Sequence, residues 1–274
     1  MKIIKILMGS MHDSLCLEWP KYASVALVSL LLCIALFVKN GMHGSELSLA
    51  DYLLYLFGGM ETFTPDISTP FRFPAPWMLI MLLILFVVLG YPHRSLSGIG
   101  QHAMILSGSR VTWWIAMCAW TLCCLAIVFA VAGAVAAVWT GATGGGFSLQ
   151  TSEGFPALIL SGKSGVPYPQ ASVSLLLSVP VVVAALSFLQ LVVTLAVGPS
   201  AAFVLMIVYL FAGSYFDSTF LLGNFAMAAR SSVYIGHFDP VMGAVLSLAV
   251  CLTCVAVGMV VVQRLPLVGE RSFR

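Results

Sequence analysis

Cys251-Leu-Thr-Cys254 has the spacing of a metal or dithiol redox site. Such a site needs further ligands or an activating group. This pair sits mid-way along an apolar run with no His or carboxylate near it, so we read both cysteines as small packing residues. "ALILSGKS" (157–164) approaches a phosphate loop. That motif wraps backbone N–H groups around phosphate and requires Gly where Ala157 stands, in a strand–loop–helix context that the surrounding sequence lacks. A serine hydrolase would place a nucleophilic Ser within reach of a His. His12, His43, His93, His102 and His237 all lie outside the apolar runs, and in Gly198-Pro199-Ser200-Ala201 the proline is placed to start a helix. No H-E-x-x-H zinc motif is present. We therefore assign no catalytic residue and no metal ligand, and expect no cofactor on this chain.

The elements that would position any site are apolar. Of the 274 residues, 61% are hydrophobic and 8% charged, where a soluble domain carries roughly 25% charged residues. So few charges cannot cover a soluble surface, and the fold class expected is an all-α integral membrane protein. The net charge of +2 gives no basis for nucleic-acid binding. The seven cysteines lie outside the segments placed extracellularly below, so no disulfide framework is expected.

A helix crosses ~30 Å of hydrocarbon with about 20 apolar residues. Six runs predict spans: 22–38, 74–90, 112–140, 172–197, 200–215 and 242–263. The first, second and fifth are near the short limit. Residues 1–20 read as an amphipathic helix on the membrane surface, with Lys2, Lys5 and Trp19 as interfacial groups. With both termini cytoplasmic, the inner segments hold Lys2, Lys5, Lys21, Arg94, Arg110, Arg264, Arg271 and Arg274. The outer ones hold only Lys39, Arg72, Lys163 and Arg230, as the positive-inside bias requires. Trp113 and Trp114 then fall at the inner interface, and Trp77 and Trp139 near the outer one, where an aromatic belt is expected. The whole chain, 1–274, reads as one transmembrane domain of the cell membrane.

Three features remain. The loop 91–111 is the one substantial cytoplasmic connection. Within it Leu96, Ile99, Ala103 and Leu106 share a helical stripe, which fits either an interfacial helix anchored by Arg110 or a docking surface. The outer segment 216–241 is semi-apolar, broken by Gly223 and Gly236, and carries Asn224, Arg230 and Ser231. It reads either as a re-entrant outer gate or as a surface loop. Finally, the spans hold no ionisable residue in their interiors, so ion-coupled transport is disfavoured. Gln190 is the most polar group at depth, set to bond a neighbouring helix or a substrate. Pro180 is placed to kink the fourth span at a pathway, unless lipid simply tolerates it.

The order of these elements resembles the membrane subunit of a type-2 ABC (ABC-2) exporter. "GSRVTWWIA" (108–116) is similar to the entry to the third span in small permeases of that kind, and "LLGNFAMAARSS" (221–232) to their last outer loop. The resemblance implies six spans, an N-terminal amphipathic helix, a coupling helix at 95–106 and a re-entrant segment before the last span. It implies a permease without its own ATPase, paired with a second copy or a similar chain and driven by separate ATPase subunits that carry ATP and Mg. Contact with the ATPase would fall to Leu96, Ile99, His102, Leu106 and Arg110. The apolar spans suit an amphipathic peptide, a lipid or a hydrophobic drug. The chain departs from larger members in having no fused nucleotide-binding domain and little outer domain.

Overall fold

A computed structural model describes residues 2–43, 46–63, 71, 73–89, 109–160, 172–234 and 236–264. It is all-helical. Eight α-helices are described: α1 (Lys2–Lys39), α2 (Leu49–Leu56), α3 (Ala75–Leu89), α4 (Arg110–Thr143), α5 (Phe155–Ile159), α6 (Ser172–Val197), α7 (Pro199–Tyr215) and α8 (Pro240–Arg264). Four segments are long and apolar enough to cross a membrane: Glu18–Lys39, Arg110–Thr143, Val173–Val197 and Pro240–Arg264. The apolar helices α3 and α7 are shorter, at 15 and 17 residues. The expected coupling helix, with Leu96, Ile99, His102 and Leu106, lies outside the described residues.

Local chemistry explains the boundaries. The 34-residue α4 ends at Gly144, whose φ of 74° is the left-handed conformation that closes a helix. Gly198, with φ 86°, turns the chain between α6 and α7, and Pro199 opens α7 at a position where its missing N–H costs nothing. Ser48 caps α2. Its hydroxyl accepts from the Asp51 amide while the Asp51 carboxylate accepts from the Ser48 amide, a reciprocal capping box. The N-terminal segment is not a separate helix. α1 continues through Pro20 into the first apolar run, so the loss of one backbone hydrogen bond at the proline does not end it.

The helices alternate in direction, and their ends confirm it. At one end the three connections placed together by charge meet each other. Ser48 bridges Gly146, Ala50 N–H donates to Ser148 O at 3.1 Å, and the amides of Ala228 and Ala229 donate to the carbonyls of Phe57 and Gly58 at 2.8 and 2.9 Å. At the opposite end Lys21 Nζ donates to Val87 O, 3.4 Å away, and an Arg110 guanidinium nitrogen donates to Gln263 O at 2.8 Å.

Packing uses small residues. The inward stripe of α8 is Gly243, Ser247, Cys251, Cys254, Gly258 and Val262, all buried, and such stripes let apolar helices approach closely. The Cys251/Cys254 pair belongs to it. Among the described residues no group of three or more His, Cys, Asp or Glu is placed to hold a metal. Trp114 packs closely on Gly258 and donates from Nε1 to Val255 O at 2.9 Å. The aromatic-belt reading of Trp77, Trp113 and Trp114 is therefore corrected: all three are fully buried in the core. Gly223 opposite Trp77 and Gly258 opposite Trp114 leave sockets for those two rings, and burial there outweighs an interfacial position.

A Cβ at position 258 would stand 2.0 Å from the Trp114 ring. Gly258→Ala is expected to cost about 1–3 kcal/mol by overpacking. Gly133→Ala, with open space around it, should instead stabilise α4 by roughly 0.5–1 kcal/mol. Thermal unfolding of the two variants in detergent checks both signs.

Candidate functional site

The segment between α7 and α8 concentrates the polar residues singled out from the sequence. Its Gly, Asn and Ser content and its short apolar runs disfavour a full helix. It forms two 3-10 turns, Leu222–Ala226 and Ala228–Arg230. Every residue from Leu222 to Ser231 is buried.

Close approaches at glycines fix this segment on three sides. Phe225 packs onto Gly243 at the start of α8, and Met227 covers Gly59, whose φ is 66°. Gly223 lies against the Trp77 ring of α3. Gly236 sits so near the Arg230 carbonyl that a Cβ there would come within 1.8 Å of its oxygen. From α7, Tyr209 completes the hold: its hydroxyl donates to Phe220 O at 2.8 Å and accepts from the Leu222 amide at 2.9 Å.

Arg230 is the centre of the polar network. Its relative exposure is 0%, and no carboxylate forms an ion pair with it among the described residues. Its guanidinium instead donates to backbone. One terminal nitrogen reaches Gly213 O at 2.8 Å, Phe216 O at 3.4 Å and Asn224 Oδ1 at 2.6 Å; the other reaches Ser214 O at 2.6 Å. Nε donates to Met60 O at 3.2 Å. The carbonyls of Gly213, Ser214 and Phe216 are at the end of α7, where a helix leaves acceptors unpaired and concentrates negative partial charge. Arg230 is thus a side-chain cap for α7 that also ties in the connection at Met60. Burial pushes the Arg230 pKa down from its ordinary value, and the nearby Asp217 carboxylate opposes that shift. Asn224 completes the network, donating from Nδ2 to Phe216 O and Ser218 O at 3.1 and 2.9 Å. Ser231 directs its hydroxyl to the Val233 amide. The fold therefore brings Asn224 and Arg230 into one network and leaves Ser231 beside it.

The other sequence-derived residues lie apart. Gln190 is buried in α6, and its Nε2 donates to Leu85 O of α3 at 3.2 Å, which is one of the two roles its sequence position left open. Pro180 lies within α6, partly exposed, without ending the helix. Arg110 opens α4 and caps the last turn of α8 through Gln263 O.

Sequence reading missed Asp51. Its carboxylate accepts from the Ser48 amide at 2.8 Å and from the Ser152 amide at 3.0 Å, joining α2 to the connection after α4. The Ser48-x-x-Asp51 spacing before an apolar run was the available signal. Burial pushes this carboxyl above its usual pKa, while the bonds from Ser48 and Ser152 hold it down.

Family models, curated proteins and solved structures were all compared with this chain, and none matches it.

Arg230→Gln should strand several buried carbonyls and cost roughly 3 kcal/mol or more. Arg230→Lys should recover only part of this, because a point charge cannot reproduce the planar fork. Melting temperatures of the two variants in detergent test that order. For Asp51 the linkage has a definite sign. With its pKa raised on folding, the folded state takes up the proton first as pH falls. Stability from this group then rises as pH drops through the raised value and levels off below the ordinary one. Asp51→Asn should remove that slope from a stability-versus-pH curve.

Proposed function

We propose that this chain is the permease subunit of an ABC-2 exporter, a six-span protein of the cell membrane with both termini in the cytoplasm. One observation carries the reading. The apolar runs 22–38, 75–89, 112–140, 173–197, 200–215 and 242–263 hold no Asp, Glu, Lys, Arg or His; Lys39, Arg110 and Arg264 stand at helix ends, and Glu18 and Lys21 pair at the entry to the first run. A pump or ion-coupled carrier needs such groups at depth, so the energy for transport comes from another chain. A buried, non-helical segment before the last helix, together with the resemblance in element order, supports the same reading.

In this proposal two copies, or this chain and a similar one, form the pathway. Separate ATPase subunits bind ATP and Mg and receive Leu96, Ile99, His102 and Leu106 of the cytoplasmic loop. Arg110 holds the exit of that loop against the end of α8. The outer outlet is bounded by the segment containing Asn224, Arg230 and Ser231. Gln190 acts as a tie between α6 and α3, and Pro180 lies along the helix that lines the path. The cargo is an amphipathic peptide, a lipid or a hydrophobic drug, because the helices offer no charge to a polar solute.

Purification from native membranes is expected to bring a separate ATPase along with this chain. A clean monomer with no such partner would overturn the proposal. Ile99→Asp is expected to preserve membrane insertion and to abolish ATP-driven transport; transport at the wild-type rate would rule out docking at that position.

A further inference from the structure

Two of the six apolar helices are short for the bilayer over their described residues. At 1.5 Å per residue α3 reaches about 22 Å and α7 about 25 Å, against ~30 Å of hydrocarbon. α3 begins and α7 stops at the end where the three connections meet, and what surrounds them there is aromatic. Phe73 packs on Phe211, tilted, with centroids 5.5 Å apart. Phe71 and Phe63 pack on Tyr215 at 5.7 and 5.3 Å, and Tyr215 meets Phe216 edge-on at 5.0 Å. The exposed apolar stripe of α7, made by Val204, Leu205, Val208 and Phe211, does not end with the helix. It continues past Tyr215 into non-helical chain at Phe216, 59% exposed, and Phe220, 89% exposed.

We infer that this aromatic collar and the turn 216–221 form a lipid-binding wedge, with Phe216 and Phe220 seated among the acyl chains of the leaflet at that end. The inference rests on the membrane reading. It specifies the occupant from three features. The collar supplies the apolar height that α3 and α7 lack. Its exposed face is continuous with the apolar face of α7. Protein groups bond three carbonyls of the turn and the amide after it, as backbone at membrane depth requires: Asn224 and Arg230 bond Phe216 O, Asn224 also bonds Ser218 O, and the Tyr209 hydroxyl bonds Phe220 O and the Leu222 amide. The Asp217–His237 pair sets the upper limit. Its atoms are 3.1 Å apart and the imidazole is largely exposed, so it belongs with headgroups or water. Phe220 therefore stops at the border between acyl chains and headgroups, a level that favours aromatic rings.

Spin labels on single added cysteines test this with the full chain in phosphatidylcholine–phosphatidylglycerol vesicles, after subtraction of the labelled wild type. The label on Phe220→Cys is expected to collide more with oxygen than with an aqueous nickel chelate. Its depth should lie between those of Leu122→Cys, on the exposed face of α4, and Gln150→Cys, in the connection after α4. Phe216→Cys should give the same preference, so one misfolded variant does not decide the result. Chelate access at Phe216 and Phe220 equal to that at Gln150 would put the wedge in water and overturn the inference. Low access to both reagents would also overturn it, and would place a second copy or another protein on the collar. If Leu122→Cys itself favours the chelate, the membrane reading fails, and the wedge with it.

Discussion

A helix that ends inside or beside a bilayer leaves its last carbonyls without water to satisfy them. That constraint organises this molecule, and cations answer it. Arg230 closes α7, Arg110 closes α8, and Lys21 reaches the last turn of α3. Lys39 Nζ does the same for Leu158 O at the end of α5. Each cap comes from a different part of the chain, so each satisfies a helix end and fastens two segments together. The favourable interaction of a cation with a helix C-terminus grows where the geometry is partly buried. This is why a chain with so few charges spends them at these points.

Close approach through glycine is the complementary device. Trp114 on Gly258 and Phe225 on Gly243 key the two ends of α8 into separate partners. Apolar helices gain little from hydrophobic burial against each other when lipid is equally apolar, so dense van der Waals contact must supply the association. The segment Leu222–Ser231 shows the same economy. With a side chain or a glycine socket meeting each neighbour, it behaves as part of the packed interior rather than as a surface loop.

Much of this architecture is legible in the sequence. The run 172–197 is α6 itself, 74–90 differs from α3 by one residue at each end and 200–215 from α7 by one residue, and Gly198 and Pro199 punctuate where they stand. Long apolar runs bounded by Gly and Pro leave few alternatives. The site was less legible. Asn224 and Arg230 were conspicuous as polar residues, but their partners are mostly backbone carbonyls, which every sequence contains and none advertises. Trp77 and Trp114 misled for a related reason: their position along the helices suggested an interface, whereas the deciding factor was a glycine more than a hundred positions away. The continuity of α1 through Pro20 was likewise decided by what a proline removes, one donor, rather than by the break it usually marks.

The turn at Gly198 has a mechanical meaning. A single residue separates the end of α6 from the start of α7. With so little chain between them, the two helices share one pivot at that end and cannot slide past each other along their axes. Of the relative motions open to two neighbouring rods, sliding is suppressed and rotation about the pivot, including splaying at the far ends, survives. The far end of α7 is where Arg230 grips its carbonyls, so a buried polar clasp restrains the end of the hairpin farthest from its pivot.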